Sequence, residues 1–244
     1  MPRTHPLPPL AEALRDPREP AARALLGHLL VREDITLRIT EVEAYGGPED
    51  SASHARHGRT ARNAPMWGPP GRAYLYFCYG MHWMLNVVTG PEGEASAVLI
   101  RGAEVMAGLE TVLARRRGVT ATPRLCAGPG KVAQALGLDK AFDGHDLLAP
   151  GGLELRPGPP PAQMLEGRRL GIAFATAEDQ ARPWRFADGD SHAVLQQRDL
   201  APTRIPERSE WERPLVAPWQ PIHTQPPLHP NPCGGEVKRH HTRG

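Results

Sequence analysis

The chain predicts one domain of class α+β, and three patterns carry that expectation. Ile35 to Tyr45 reads as a single long strand. Ala73 to Cys78 and Met84 to Thr89 read as paired strands joined across Tyr79-Gly80-Met81-His82, with a turn glycine at the tip. Helical apolar spacing recurs in Ala21 to Leu30, Glu104 to Arg117 and Lys131 to Leu138.

Taken in order, residues 1–20 are Pro-rich, carry charges of both signs and are expected to form a flexible arm. Ala21 to Leu30 then starts the core. In the strand Ile35 to Tyr45, the positions Leu37, Ile39, Glu41, Glu43 and Tyr45 share one face if the strand is unbroken. That face begins apolar and turns acidic and aromatic, as a core strand does when it runs out into a pocket. Gly46 to Gly71 is a long polar loop region, and a loop of that length in a compact domain is functional or disordered. After the hairpin, Ala97 to Ile100 is a short apolar strand ending at Arg101. The helix expected over Glu104 to Arg117 places Met106, Leu109, Val112 and Leu113 on one face. Gly128-Pro129-Gly130 leads into the helix at Lys131, and Leu170 to Phe174 and Arg182 to Phe186 add strand or loop. Beyond about residue 200 the chain is again Pro-rich and ends in VKRHHTRG, a composition that cannot bury a core. The expected division is therefore an arm (1–20), a folded domain (21–200) and a disordered tail (201–244).

Composition narrows the class. The chain has 244 residues and is 40% hydrophobic, enough for one sizeable core, while 28 prolines and 25 glycines imply much loop. It lacks an apolar run of the roughly 20 residues that a membrane span requires. The N-terminus lacks a signal-peptide apolar core. Cys78, Cys126 and Cys233 are odd in number and without CxxC spacing, so the expectation is a reduced cytoplasm, no disulfide framework and no structural zinc. A net charge of +2 says little, but its distribution says more. From His54 to Arg72 there are four arginines and no acid, and Arg115, Arg116 and Arg117 are followed by Arg124 and Lys131. Such clusters supply phosphate contacts in nucleic-acid binders or form ordinary solvated faces.

All four tyrosines lie between Tyr45 and Tyr79, beside Glu41, Glu43 and His54. Flat rings, carboxylates and basic residues suit a nucleobase on a sugar-phosphate strand. Cleaving an N-glycosidic bond needs a carboxylate that activates water and offsets positive charge on the sugar. Glu43 is the candidate; the alternative is that Glu41 and Glu43 are surface charges on an edge strand. Tyr74 and Tyr76 alternate across Leu75 and can stack a base, or serve as half-buried sheet tyrosines. Tyr79, at a hairpin tip beside Gly80, is badly placed for core packing and well placed as a wedge in a duplex. His54, His57, Cys78 and His82 match no metal-ligand spacing. Gly128 to Lys131 suits a phosphate but lacks the rest of a Walker motif.

These residues fall into blocks. EVEAYGGPEDSASH (Glu41 to His54), RTARNAPMWGPPGRAYLYFCYGMHWMLNVV (Arg59 to Val88), VLIRG (Val98 to Gly102) and LCAGPGKVAQALGL (Leu125 to Leu138) closely resemble the alkyladenine, or 3-methyladenine, DNA glycosylases of the mammalian type. The likeness runs from about Ala22 to Phe186, in order. It implies a curved antiparallel sheet flanked by helices and a monofunctional base-excision enzyme. Such an enzyme removes alkylated or deaminated purines (3-methyladenine, hypoxanthine, ethenoadenine) from double-stranded DNA. It also implies a monomer without cofactor, acting on chromosomal DNA.

By matching positions, the resemblance makes Glu43 the general base that activates water and Arg101 the residue that helps hold that water. Tyr45, Tyr76 and His54 would enclose and hydrogen-bond the flipped purine, Asn86 would exclude the amino group of normal guanine, and Tyr79 would insert into the duplex. Arg62 is expected at the DNA backbone, and Met66 and Lys131 at the DNA backbone or near the wedge. Tyr74 is left as structural, and Glu41 as lining the approach. Gly102 and Val105 depart from the usual Ala and Pro, and Trp67 replaces a common Phe. The competing expectation is a non-enzymatic binder of distorted DNA. A nucleoside hydrolase would make poor sense of Tyr79 and the arginines.

Overall fold

The computed structural model describes residues 10–78 and 80–205, so the expected wedge Tyr79 and most of the expected tail lie outside the described residues. The helices are α1 (Leu10–Ala13), α2 (Glu19–Leu25), α3 (Leu109–Arg115), α4 (Pro129–Leu136) and α5 (Ala177–Ala181). The strands are β1 (Leu29–Arg32), β2 (Ile35–Tyr45), β3 (Ala73–Cys78), β4 (His82–Val88), β5 (Ala97–Ala107), β6 (Cys126–Ala127), β7 (Glu154–Arg156), β8 (Met164–Gly167), β9 (Arg185–Asp188) and β10 (Ala201–Thr203). The sheet runs β10-β8-β9-β2-β5-β4-β3, with β1 on β2 and β7, and β6 on β5. Every one of these strand pairings is antiparallel. A mostly antiparallel sheet flanked by a few helices makes the class α+β, as the sequence predicts.

The core forms where apolar side chains of β2, β4 and β5 meet α2 and α4: Leu37, Ile39, Val42, Ala44, Leu85, Val87, Val98 and Ile100 against Ala21, Ala22, Leu25, Val132, Ala133 and Leu136. Part of the expected arm belongs to this core, since Leu10 and Leu14 are buried in it. Burying two leucines stabilises the segment by roughly 1.5–3 kcal/mol each, which a solvated arm would forgo.

Several expected elements differ in extent. The helix over Ala21 to Leu30 ends at Leu25, because Gly27 takes φ 85° and Leu29 already pairs in β1. A Cβ at Gly27 would collide with the carbonyl oxygen of Pro159. The helix expected from Glu104 starts only at Leu109: Glu104 and Val105 pair with Arg38 and Leu37, so the strand continues to Ala107. Gly108, at φ 75° and with Asp34 O only 2.7 Å from a hypothetical Cβ, separates strand from helix. Met106 and Leu109 are consequently exposed rather than on a buried face. Leu170 to Phe174 is a loop.

The most consequential departure is inside β2. Ile39 pairs with Ala103 and Glu41 with Gly102, leaving Thr40 as an extra residue; Val42 then pairs with Ile100, leaving Arg101 extra on β5. Two facing bulges flip the alternation. Leu37 and Ile39 enter the core from odd positions, but Val42 and Ala44 enter it from even ones. The acidic residues therefore do not share a face with Leu37 and Ile39, as an unbroken strand would require. They point to the opposite side, and the bulge turns Arg101 towards them.

Candidate active site

On that opposite side, the end of β2, the hairpin β3–β4, the start of β5 and the loop 170–174 enclose a cavity of about 280 Å³. Its walls include Tyr45, His54, Met66, Tyr74, Tyr76, Asn86, Arg101 and Phe174. The volume is near the lower end for small-molecule sites, which run to roughly 300–1,000 Å³, and suits one flat ring system.

Glu43 lies behind the cavity wall, fully buried. Its Oε1 accepts from the Leu170 backbone N–H at 2.7 Å. Its Oε2 accepts from the Tyr45 hydroxyl at 2.8 Å and from Arg101 Nη1 at 3.2 Å. Tyr45 and Arg101, the two side chains bonded to Oε2, both line the cavity. Burial, reinforced by the Glu43 charge, raises the Tyr45 pKa well above its ordinary value, so the hydroxyl stays a donor. Burial works against the Arg101 charge, but Glu43 and Glu41 together outweigh it and lift its pKa further above an already high value. The guanidinium is a fixed cation.

Another part of the lining is an aromatic cluster. The rings of His54 and Tyr76 meet edge to face with centroids 4.4 Å apart, and Tyr74 stands 5.8 Å from Tyr76. His54 Nδ1 hydrogen-bonds the Tyr74 hydroxyl at 2.8 Å. Burial, then the nearby charges of Arg62 and Arg56, lower the His54 pKa, so the ring is neutral at neutral pH. Burial pushes the Tyr74 and Tyr76 hydroxyls up, keeping both protonated. Asn86 donates through Nδ2 to the Tyr74 carbonyl at 3.0 Å; this fixes the amide and leaves Oδ1 as the group open to the cavity. Behind Tyr45, the buried Arg169 sits 4.9 Å from the ring centroid and is clamped by a two-pronged ion pair to Asp50.

The structure thus brings together Glu43, Arg101, Tyr45, His54, Tyr76 and Asn86. Tyr74 lines the cavity as well, nearly fully buried and tied to His54. Of the residues expected at the DNA backbone, Arg62 and Lys131 are exposed, and Arg62 donates to the Phe77 carbonyl near the hairpin tip. Met66 differs from these two: its side chain is buried against Tyr74 and Val88 and lines the cavity. Glu41 is a correction. It is fully buried in ion pairs with Arg101 and Arg185, not on an approach.

Sequence reading missed Arg185, Arg169 and the wall 170–174. Arg185 lay in view within RPWRF, but nothing local says that a strand more than a hundred residues away lies beside Glu41. Among the described residues no group of three or more His, Cys, Asp or Glu could hold a metal ion, and no lysine lines the cavity. No described helix is long and apolar enough to cross a membrane.

Residues 12–192 match the family described as Methylpurine-DNA glycosylase. The chain is 56% identical over 196 residues to a protein of Nitrosococcus oceani provisionally assigned as a 3-methyladenine DNA glycosylase, covering 80% of this chain and 96% of that one. It is 49% identical over 171 residues to the DNA-3-methyladenine glycosylase of Arabidopsis thaliana, covering 70% and 67%. A similarly assigned protein of Streptomyces avermitilis is 46% identical over 188 residues, covering 74% and 87%.

Proposed function

Because the chain belongs to the methylpurine-DNA glycosylase family, we propose that it is a DNA repair hydrolase. It releases alkylated or deaminated purines, of the 3-methyladenine, hypoxanthine and ethenoadenine type, from duplex DNA. The observation that carries this reading is a buried carboxylate, Glu43, gripped by Arg101 and Tyr45 at the wall of a cavity sized for one planar base.

In this reading the damaged nucleotide is flipped out of the stack, and its base enters between Tyr45 and the His54–Tyr76 wall. The C1′–N bond breaks with its electron pair leaving on the base. Water adds its oxygen to C1′ and passes a proton to Glu43, giving free base and an abasic site. A cationic lesion such as 3-methyladenine leaves as a neutral base and needs little help; a neutral one must be hydrogen-bonded as it departs and reacts more slowly. With no lysine among the described residues that line the cavity, water is the nucleophile rather than a Schiff-base amine.

The duplex lies across the mouth, where Arg56 and Arg62 offer phosphate contacts. Tyr79 fills the gap left by the flipped base. Its neighbours support such a wedge: Phe77 is 43% and Met81 67% exposed, apolar groups that a duplex would cover. One observation favours a binder without chemistry, namely that Arg101 and Tyr45 stand between Glu43 and the cavity.

Glu43→Gln separates the two. In a single-turnover assay on a 3-methyladenine duplex, it should retain affinity and slow base release by about 10²–10⁴-fold, the usual worth of a general base. Wild-type release by that variant would overturn the catalytic reading.

A further inference from the structure

Arg101 spends its guanidinium in an ordered way. Nε donates to Glu41 Oε1 at 3.1 Å and Nη1 to Glu43 Oε2 at 3.2 Å. Nη2 has no partner among the described residues, and it is not among the sealed polar atoms, so it reaches the cavity that Arg101 lines. An arginine on a bulge has no regular rotamer environment to aim it, so something must hold its fork.

Glu41 is that holder, and it is itself held on every side. Its Oε1 also accepts from Arg185 Nε at 2.8 Å, and its Oε2 accepts from the Leu195 backbone N–H at 2.8 Å. Arg185 in turn donates through Nη2 to the Leu195 carbonyl. Thr40, the extra residue of the bulge, donates to the Ala193 carbonyl at 2.9 Å, and Gly102 leaves room for that carbonyl where a Cβ would collide with it. The four buried charges Glu41, Glu43, Arg101 and Arg185 balance, and a satisfied buried network is rigid in proportion to the cost of breaking it.

We propose that Glu41, braced by Arg185 and the 193–195 segment, is a positioning residue that locks Arg101 so that Nη2 faces the reacting group in the cavity. This rests on the glycosylase reading above. Glu41 touches neither base nor sugar; it acts through Arg101. The distinction matters because an orienting group contributes to the reaction step and not to ground-state binding.

The test is a double-mutant cycle of Glu41→Gln and Arg101→Gln, read as single-turnover base release and as Kd for a lesion duplex. With Arg101 present, Glu41→Gln should slow release by about ten- to a hundredfold, the scale for a displaced catalytic group, without changing Kd. With Arg101 already replaced, it should slow release no further. Equal losses in both backgrounds, or wild-type release by Glu41→Gln, would overturn the proposal. With the enzyme in saturating excess the single-turnover rate constant does not depend on the fraction of folded molecules, so partial misfolding does not mimic a slow step. If Glu41→Gln does not fold, Glu41→Asp keeps the charge and withdraws the carboxylate by one methylene. The same dependence on Arg101 is expected of it, and additive losses count against the proposal equally. Undiminished release by Glu43→Gln would instead remove the parent reading and this inference with it. Failure of the cycle alone leaves Glu43 in place.

Discussion

The two halves of β2 share a strand and a partner, yet one builds the core and the other the site. Before Thr40, β2 lies between β1 and β5 and sends Leu37 and Ile39 into the apolar cluster. After it, β9 takes the place of β1, Val42 and Ala44 still fill the core, and Glu41 and Glu43 emerge on the other side. One extra residue on each strand makes the change. Without the bulge, both carboxylates would follow Leu37 and Ile39 into an apolar interior, where an unpaired ion is prohibitively costly. The bulge places the same acids among arginines instead. The geometry of the candidate site is a register property.

The sharpest way to break the site half while sparing the core half is Gly102→Ala. An added methyl would collide with the Ala193 carbonyl and press on Glu41 Cβ and Thr40 Oγ1, each 3.1 Å away. Backbone must move, so a loss of about 1–3 kcal/mol is expected in urea denaturation, as for an overpacked core. Base release per folded molecule should fall by about a hundredfold, because Arg101 is the adjacent residue. Normal release with normal stability would mean that the 193–195 segment is free to yield.

How much of this was legible follows from where each constraint originates. β2 and β3 have the bounds that the sequence predicts, because apolar alternation between turn signals is local information. For β5 the sequence predicts four residues where the strand has eleven, since its outer part is held by pairing with β2 and not by its own pattern. The short strands β1, β7, β8 and β10 escaped notice for the same reason. Glu43, Tyr45, His54, Tyr76, Asn86 and Arg101 were legible as a set because their blocks resemble a family; all but Glu43 line one cavity, and Glu43 is bonded to two of the lining side chains. The bulge at Thr40 was not, since a bulge is defined against the partner strand. Glu41 was misjudged with it: its partners Arg185 and Leu195 arrive from the far end of the domain.

The core half has its own ionisable group, and pH exposes it. His28 precedes β1, is buried, and accepts a backbone hydrogen bond from β2, Ile39 N–H to His28 O at 2.9 Å. Burial lowers its pKa from 6.5 to about 4, with carbonyls of Ala24 and Leu26 pulling weakly the other way. The sign follows directly. Below pH 6.5 the unfolded chain takes up a proton that the folded chain refuses until about pH 4, so stability falls as pH drops through that window and levels off beneath it. At about 1.4 kcal/mol per unit, the full loss is about 3 kcal/mol. Denaturation of wild type and His28→Gln at pH 7, 6 and 5 should show a slope that the variant lacks. Parallel curves would mean that His28 titrates normally.

The smallest change divides the site half itself. Tyr45→Phe keeps a ring against Arg169 and the cavity but deletes the hydroxyl that Glu43 Oε2 accepts at 2.8 Å. What remains on that oxygen is Arg101 at 3.2 Å, so the carboxylate loses one of the two donors that fix its Oε2. A hydrogen bond to a charged group is worth about 1.5–3 kcal/mol, and part of that survives through Arg101. Base release should therefore slow by about tenfold, while Kd for a lesion duplex stays level because the stacking face is intact. If affinity falls and the release rate does not, Tyr45 is only a wall, and the aim of Glu43 comes from Arg101 and the Leu170 N–H alone.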